Sequence, residues 1–89
     1  MPSISMFYGI IIRMYFDDDK RHHLPHVHAI YNEYEAMFDI ETGKILDGKF
    51  PPKETKFVET WILLRQSELL ANWKLATSGE QLYRIEPLR

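Results

Sequence analysis

The sequence is defined first by what it lacks. It has no cysteine, so disulfide bridges and thiolate metal sites are excluded. No apolar run approaches the roughly 20 residues that cross a bilayer, and the apolar N-terminal stretch is interrupted by Gly9 and Arg13, unlike a signal peptide. Basic residues do not outnumber acidic ones, and the formal net charge of −2 argues against DNA binding through the phosphate backbone. We therefore expect a cytoplasmic protein that contacts neither membrane nor DNA.

The composition is that of a packed domain. Hydrophobic residues make up 45% of the 89 residues and aromatic residues 13%, which is too apolar for a disordered chain. The hydrophobic period changes near Pro51-Pro52, from alternation before it to a helical spacing after it. We expect a single domain over residues 1–89, with a β-sheet part at 1–50, a helical part at 51–79 and a C-terminal tail at 80–89.

The first part of the chain alternates between apolar and mixed positions. Every even position from 4 to 16 is apolar: Ile4, Met6, Tyr8, Ile10, Ile12, Met14 and Phe16. This pattern predicts one long first strand, kinked or bulged at Gly9.

The next two strands can be paired residue by residue. Asn32-Glu33 separates two alternating runs and predicts a two-residue turn. The pairing then sets three apolar pairs on one face of the sheet: Tyr31 with Tyr34, Ala29 with Ala36, and Val27 with Phe38. The other face carries two polar-containing pairs, His28 with Met37 and His26 with Asp39. A slip of one residue would mix the two faces, so the pattern favours this register.

A second hairpin is expected at Thr42-Gly43, with Ile40 beside Ile45 and Glu41 opposite Lys44. Asp47-Gly48 is expected to end that short strand. The sheet is therefore predicted to be an antiparallel β-meander of three to four strands.

Two helices should follow the sheet. Pro51-Pro52 opens the first, and Ser67 is expected to be the N-cap of the second, which stops at Gly79. One kinked helix over 53–78 is the alternative. The apolar stripes are Phe57, Val58, Trp61, Ile62 and Leu64, then Leu69, Leu70, Trp73 and Ala76.

These elements predict an α+β fold with both helices packed on one face of the sheet. Leu82, Ile85 and Leu88 would fold an extended tail back onto the body. The sheet face that carries the histidines is then left towards solvent, a partner or a ligand.

All four histidines lie within seven residues: His22, His23, His26 and His28. His26 and His28 are two positions apart on a predicted strand, so they point to one face with their bases about 7 Å apart. Two imidazoles at that spacing can converge on Zn²⁺ or another divalent metal, with Asp39 as a third ligand or as a partner that orients a ring. The other histidines or the aspartate run at 17–19 would reach in from the loop.

Acid–base chemistry without metal is a second interpretation of the same residues. One imidazole can take a proton from a nucleophile while the other protonates a leaving group. RNA cleavage through its own 2′-hydroxyl needs these two groups and a cation for the phosphate, which Arg13 or Arg21 would supply. The simplest alternative remains a set of surface histidines with neither metal nor catalysis, and a solvent-facing Arg13.

The helices add a possible interaction surface. Trp61 and Trp73 have the spacing of core anchors, whereas Leu63 and Leu75 lie off the apolar stripes. Exposed leucines in that arrangement would suit a homo-oligomer or a partner helix, although single exposed leucines are common.

Several segments resemble a bacterial protein family known as a domain of unknown function, DUF4160. The most specific is Pro25-His26-Val27-His28-Ala29. The others are Met1-Pro2-Ser3-Ile4-Ser5, Phe7-Tyr8-Gly9-Ile10, Arg13-Met14-Tyr15-Phe16, the stretch 39–43, Glu68-Leu69-Leu70-Ala71-Asn72-Trp73 and Ile85-Glu86-Pro87-Leu88. The chain departs from the family at Leu24, where members often have a second proline, at the additional pair His22-His23, and at the Asn32-Glu33 turn, which is often Gly-Gly.

The resemblance implies a small cytoplasmic bacterial protein, often encoded beside another short protein, as in toxin–antitoxin-like pairs. It implies no catalytic residues. We therefore expect an interaction or regulatory protein with a small protein partner. The alternative is a small ribonuclease or metal-dependent hydrolase that uses His26, His28 and Asp39, with Arg13 beside them.

Overall fold

The computed structural model describes residues 3–16 and 24–89. These residues form one antiparallel sheet in the order β1-β2-β3-β4-β5, followed by two helices. The strands are β1 (Ser3–Phe7), β2 (Ile10–Arg13), β3 (His26–Tyr31), β4 (Tyr34–Asp39) and β5 (Ile45–Lys49), and the helices are α1 (Pro52–Leu64) and α2 (Gln66–Thr77). The α+β class is confirmed, but the described residues contain five strands where three to four were predicted.

The additional strand comes from a turn within the expected long first strand. Tyr8 and Gly9 both have positive φ, 52° and 78°, and they reverse the chain so that Phe7 pairs with Ile10. The prediction of a kink at Gly9 was wrong, because a two-residue turn places Phe7 and Ile10 on the same face and changes which positions are buried. Phe7 is buried, whereas Met6 and Tyr8 are exposed.

The predicted register between β3 and β4 is confirmed. Tyr31 pairs with Tyr34 around Asn32-Glu33, and the pairs His28–Met37 and His26–Asp39 follow from it. Asn32 provides the positive φ (52°) that the turn needs.

The predicted hairpin at Thr42-Gly43 was wrong in its register. Ile45 pairs with Phe38, not with Ile40, and the N–H of Asp39 donates to Lys44 O (2.8 Å) across a loop of four residues. The Asp39 carboxylate accepts a hydrogen bond from the N–H of Glu41 (2.8 Å), which folds the chain tightly after β4 and takes Ile40 out of the ladder.

Asp47-Gly48 was expected to end its strand, but both residues lie inside β5. Gly48 has a φ of 90°, and a Cβ there would clash with Glu35 O. Position 48 therefore requires glycine, because β4 passes too close to leave room for any side chain.

The helices follow the predicted order with one correction. Pro52 is the first residue of α1, and α2 ends at Thr77 before Gly79, whose φ of 71° is that of a helix stop. The boundary between the helices is at Arg65, so Ser67 lies inside α2 and is not its N-cap. Two helices are therefore present, not one kinked helix. No helix of the described ranges has the length and apolarity to cross a bilayer.

The core lies between the sheet and the helices. Trp61 of α1 contacts Phe7 with ring centroids 5.3 Å apart. The tail closes the core, because Ile85 is buried and its N–H donates to Ile4 O (2.8 Å). The predicted return of the tail onto the body is thus confirmed. In the predicted stripes, however, Leu64 and Leu70 face outward.

Candidate functional site

One row of side chains crosses four strands on the side of the sheet that carries His26 and His28, which we term the histidine face. Arg13 pairs with His28, His28 with Met37, and Met37 with Asp47. Directly opposed residues of antiparallel strands share a face and lie side by side. The strands therefore bring a cation, an imidazole and a carboxylate into one line.

His28 is held between two polar neighbours. The ring of Tyr15 stacks on it with centroids 4.4 Å apart, and the Tyr15 hydroxyl lies 3.4 Å from Nδ1 of His28. A carboxylate oxygen of Glu35 lies 3.7 Å from the same nitrogen. An imidazole with a carboxylate near one nitrogen is the usual arrangement of an oriented general base.

His26 is buried deeper than His28. Its Nδ1–H donates to Leu24 O (2.8 Å), and this places the proton on Nδ1 because a carbonyl can only accept. Its ring lies 5.0 Å from that of Trp73 and 5.2 Å from that of His28. Nε2 of His26 is buried and has no hydrogen-bond partner among residues 3–16 and 24–89.

The expectation that the histidine face is open was wrong for these two side chains. His26 is 1% exposed and His28 is 7% exposed. Tyr15 covers His28, and Trp73 of α2 reaches His26 at the end of the sheet. The pattern of the hairpin that carries the histidines shows neither contact, because both residues lie outside that hairpin.

The structure places Asp39 opposite His26, as predicted, and buries it. Its carboxylate is occupied in the turn after β4 through the N–H of Glu41. In the part of the chain that the structure describes, no group of three or more histidine, aspartate or glutamate side chains comes together as metal ligands. The other expected ligands, His22, His23 and the aspartates at 17–19, lie outside the described residues, as does Arg21. The metal set of His26, His28 and Asp39 stays a prediction.

Arg13 lies at the other side of His28 and is half-buried. Its Nε is buried without a hydrogen-bond partner among the described residues. The strand pairing thus places Arg13 next to His28 on the same face of the sheet.

A shallow pocket of about 240 Å³ opens on the histidine face beside His28. Its lining residues are His28, Glu35, Ala36, Met37, Asp47 and Gly48. Two of them carry carboxylates, so the pocket favours cations over polyanions. Sequence reasoning did not include Asp47 or Tyr15 in the site. Asp47 could be assigned to the site only with the correct β4–β5 register. Tyr15 could have been assigned from the sequence, because it lies two positions after Arg13 and so faces the same side of the sheet.

Two further concave surfaces are lined by residues of the C-terminal tail. These two pockets, of about 260 and 220 Å³, share Pro87, and we term them together the tail groove. Met6, 59% exposed, lines the first, and Leu64, 68% exposed, lines the second. Of the two leucines expected to be exposed, Leu63 is exposed and Leu75 is half-buried; neither lines the groove.

Comparison with known proteins gives one family and no individual relative. The model of the family described as Domain of unknown function (DUF4160) matches residues 9–74, about three quarters of the chain. No curated protein and no solved structure shows a significant match. The matched range contains β2 to β5 and α1, and therefore the whole row from Arg13 to Asp47.

Proposed function

Because the chain belongs to the DUF4160 family, a domain of unknown function, we propose that it is a small cytoplasmic regulatory protein of bacterial origin that works by binding a second protein, as one half of a toxin–antitoxin-like pair. The observation that carries the proposal is the tail groove. It is a concave surface of the described residues where two large apolar side chains, Met6 and Leu64, are left mostly exposed.

The groove has the composition of a protein-binding surface. It is lined by apolar residues and by charged ones, some of which pair within the chain: Arg65 with Glu68 (3.2 Å) and Arg89 with Glu86 (3.1 Å). An apolar centre with a polar rim is the usual anatomy of an interface. Burial of Leu64 and Met6 by a partner would be favourable by about 25 cal/mol per Å² of apolar surface.

The test is co-expression with the protein encoded by the neighbouring gene, followed by gel filtration. We expect the two proteins to co-elute and Leu64→Glu to weaken the complex at least about tenfold, since it places a charge in the apolar centre. Leu63→Glu is the matched control, because Leu63 is also exposed and lines neither pocket. Separate elution of the two wild-type proteins at micromolar concentration would refute the proposal.

A second function is favoured by the surroundings of His28. Glu35 lies within 3.7 Å of its Nδ1, Arg13 is its neighbour across the strands, and the pocket gives access to it. These groups support a small hydrolase in which His28 is the general base, with Arg13 as its neighbour outside the pocket. His26 does not line the pocket, so it would orient His28 and not act on substrate. The carboxylates of Glu35 and Asp47 weigh against an RNA substrate.

Two measurements distinguish the forms of this second function. Cleavage of single-stranded RNA by wild type, lost in His28→Gln with an unchanged circular dichroism spectrum, would support the ribonuclease form. Stoichiometric zinc binding, lost in the double variant His26→Ala/His28→Ala, would support the metal-dependent form. The absence of both activities in the isolated chain would remove the second function and leave the first one intact.

A further inference from the structure

The two edge strands of the sheet, β1 and β5, differ in what covers them. At β1, the tail approaches the edge, where the N–H of Ile85 donates to Ile4 O. At β5, the described residues contain no further strand, and Ile45, Asp47, Gly48 and Lys49 are all exposed. An exposed strand edge can accept another strand.

We propose that β5 pairs with β5 of a second copy of this chain, in an antiparallel arrangement with its two-fold axis at Gly48. The two sheets then become one continuous sheet. This inference is independent of the proposed partner at the tail groove, which lies along α1, β1 and the tail.

Charge complementarity selects this register. With the axis at Gly48, Asp47 of each copy lies opposite Lys49 of the other, so two opposite-charge pairs form. An axis at Asp47 would instead oppose two aspartates, which is unfavourable for directly opposed strand residues. Asp47 accepts a hydrogen bond from the N–H of Gly48 (2.9 Å), and a carboxylate has acceptor positions for several donors.

Apolar residues flank the ionic pairs at the junction. Leu46 lies at the irregularity of the β4–β5 ladder and Phe50 directly follows β5; both are half-buried, and each would come near the other across the junction. Phe50 already contacts Phe38 with ring centroids 5.6 Å apart, so the added leucine would extend the core across the junction. The edge from Asp47 to Lys49 thus gives ionic pairs on the histidine face, and Leu46 and Phe50 place apolar side chains beside them.

Charged residues at a sheet edge usually prevent pairing with other chains. Charged edge residues prevent such pairing when the incoming strand would place a like charge or an apolar side chain opposite them. In β5 the two charges have opposite signs and are equidistant from Gly48, so a second copy meets them with the complementary order. Gly48 carries no side chain at the axis, where the two backbones approach most closely.

The test is sedimentation velocity on the full chain at concentrations from about 5 to 200 µM, since a short edge contact buries little surface and should give a weak dimer. Wild type is expected to shift from monomer to dimer over this range. Lys49→Glu places a glutamate opposite Asp47 and is expected to raise the dissociation constant at least about tenfold. The double variant Asp47→Lys/Lys49→Asp reverses both pairs and is expected to restore the dimer.

Lys56→Glu is the matched control. It makes the same change of charge at an exposed position of α1, away from the edge, and should leave the dimer unchanged. A monomeric wild type over the whole range would overturn the proposal. So would a dimer that survives Lys49→Glu, or a folded double variant that fails to recover, because either result places the contact elsewhere.

Discussion

Tyr15 stacks on His28 with their ring planes inclined by only 10°. The stack makes Tyr15 the cover of the imidazole, so Tyr15→Ala is expected to expose His28 and to cost about 1–2 kcal/mol of folding free energy from the lost aromatic contact and buried area. The measurement is the rate of diethyl pyrocarbonate modification at His28, with stability from urea unfolding. Tyr15→Phe keeps the ring, so His28 should be modified as slowly in this variant as in wild type. Equal rates of His28 modification in Tyr15→Ala and wild type would show that Tyr15 does not shield the imidazole.

A comparison of Gly48→Ala with Gly79→Ala measures how much folding free energy a side chain costs inside the sheet. Both have positive φ, but a Cβ at Gly48 would meet Glu35 O, whereas nothing lies within 4 Å of a Cβ at Gly79. Gly79→Ala is expected to cost about 1 kcal/mol from backbone strain alone. Gly48→Ala adds a clash with β4 and should cost about 3 kcal/mol or more. Equal losses in chemical denaturation would show that β4 yields to the added methyl group.

Asn72 connects α2 to the C-terminal tail through two hydrogen bonds. Its side chain is 2% exposed, and its amide donates to Tyr83 O (2.7 Å) while accepting from the N–H of Tyr83 (3.1 Å). Asn72→Ala removes both bonds, and we expect a loss of about 1–3 kcal/mol together with a freer tail. Hydrogen exchange at the Ile85 amide, which bonds Ile4 O, should quicken in the variant. Unchanged protection there would mean that the tail is held without Asn72.

Gln66 connects the helix junction to the loop after β4. Its side-chain amide donates to Ile40 O (3.0 Å) and to Glu41 O (2.8 Å). Gln66→Ala leaves both carbonyls without this donor, and we expect a loss of about 1–2 kcal/mol in urea unfolding. Gln66→Glu retains the shape but cannot donate, so it should lose about as much. A fully stable Gln66→Glu would assign any effect of the alanine to packing and not to the hydrogen bonds.

The β3–β4 hairpin was predictable because its information is local. Apolar and polar residues alternate on both sides of Asn32-Glu33, and only one register keeps Val27 and Phe38 on one face. The helix stop at Gly79 was predictable for the same reason. The Tyr8-Gly9 turn was missed because tyrosine rarely adopts positive φ, and the alternation continues across the turn without a visible break.

The candidate site was predictable only in part. The sequence places His26, His28 and Asp39 on strands and the pairing brings them to one face as expected, whereas the position of Arg13 beside His28 comes from the structure. Burial of the histidines was not predictable. Their burial depends on contacts with Tyr15 and Trp73, which are distant in sequence. Those contacts are set by how α2 and the chain after β2 pack against the sheet.

The hydrogen bond between Ile85 and Ile4 brings β1 and the C-terminal tail side by side. All strand pairs join neighbours in sequence, so this contact spans the longest stretch of chain among those that close the sheet and tail. It should be among the last to form, since closure of a long loop costs more entropy than closure of a hairpin. The same proximity suits circular permutation: a short linker can connect the chain after Ile85 to the chain before Ile4, with a new opening between Asn32 and Glu33.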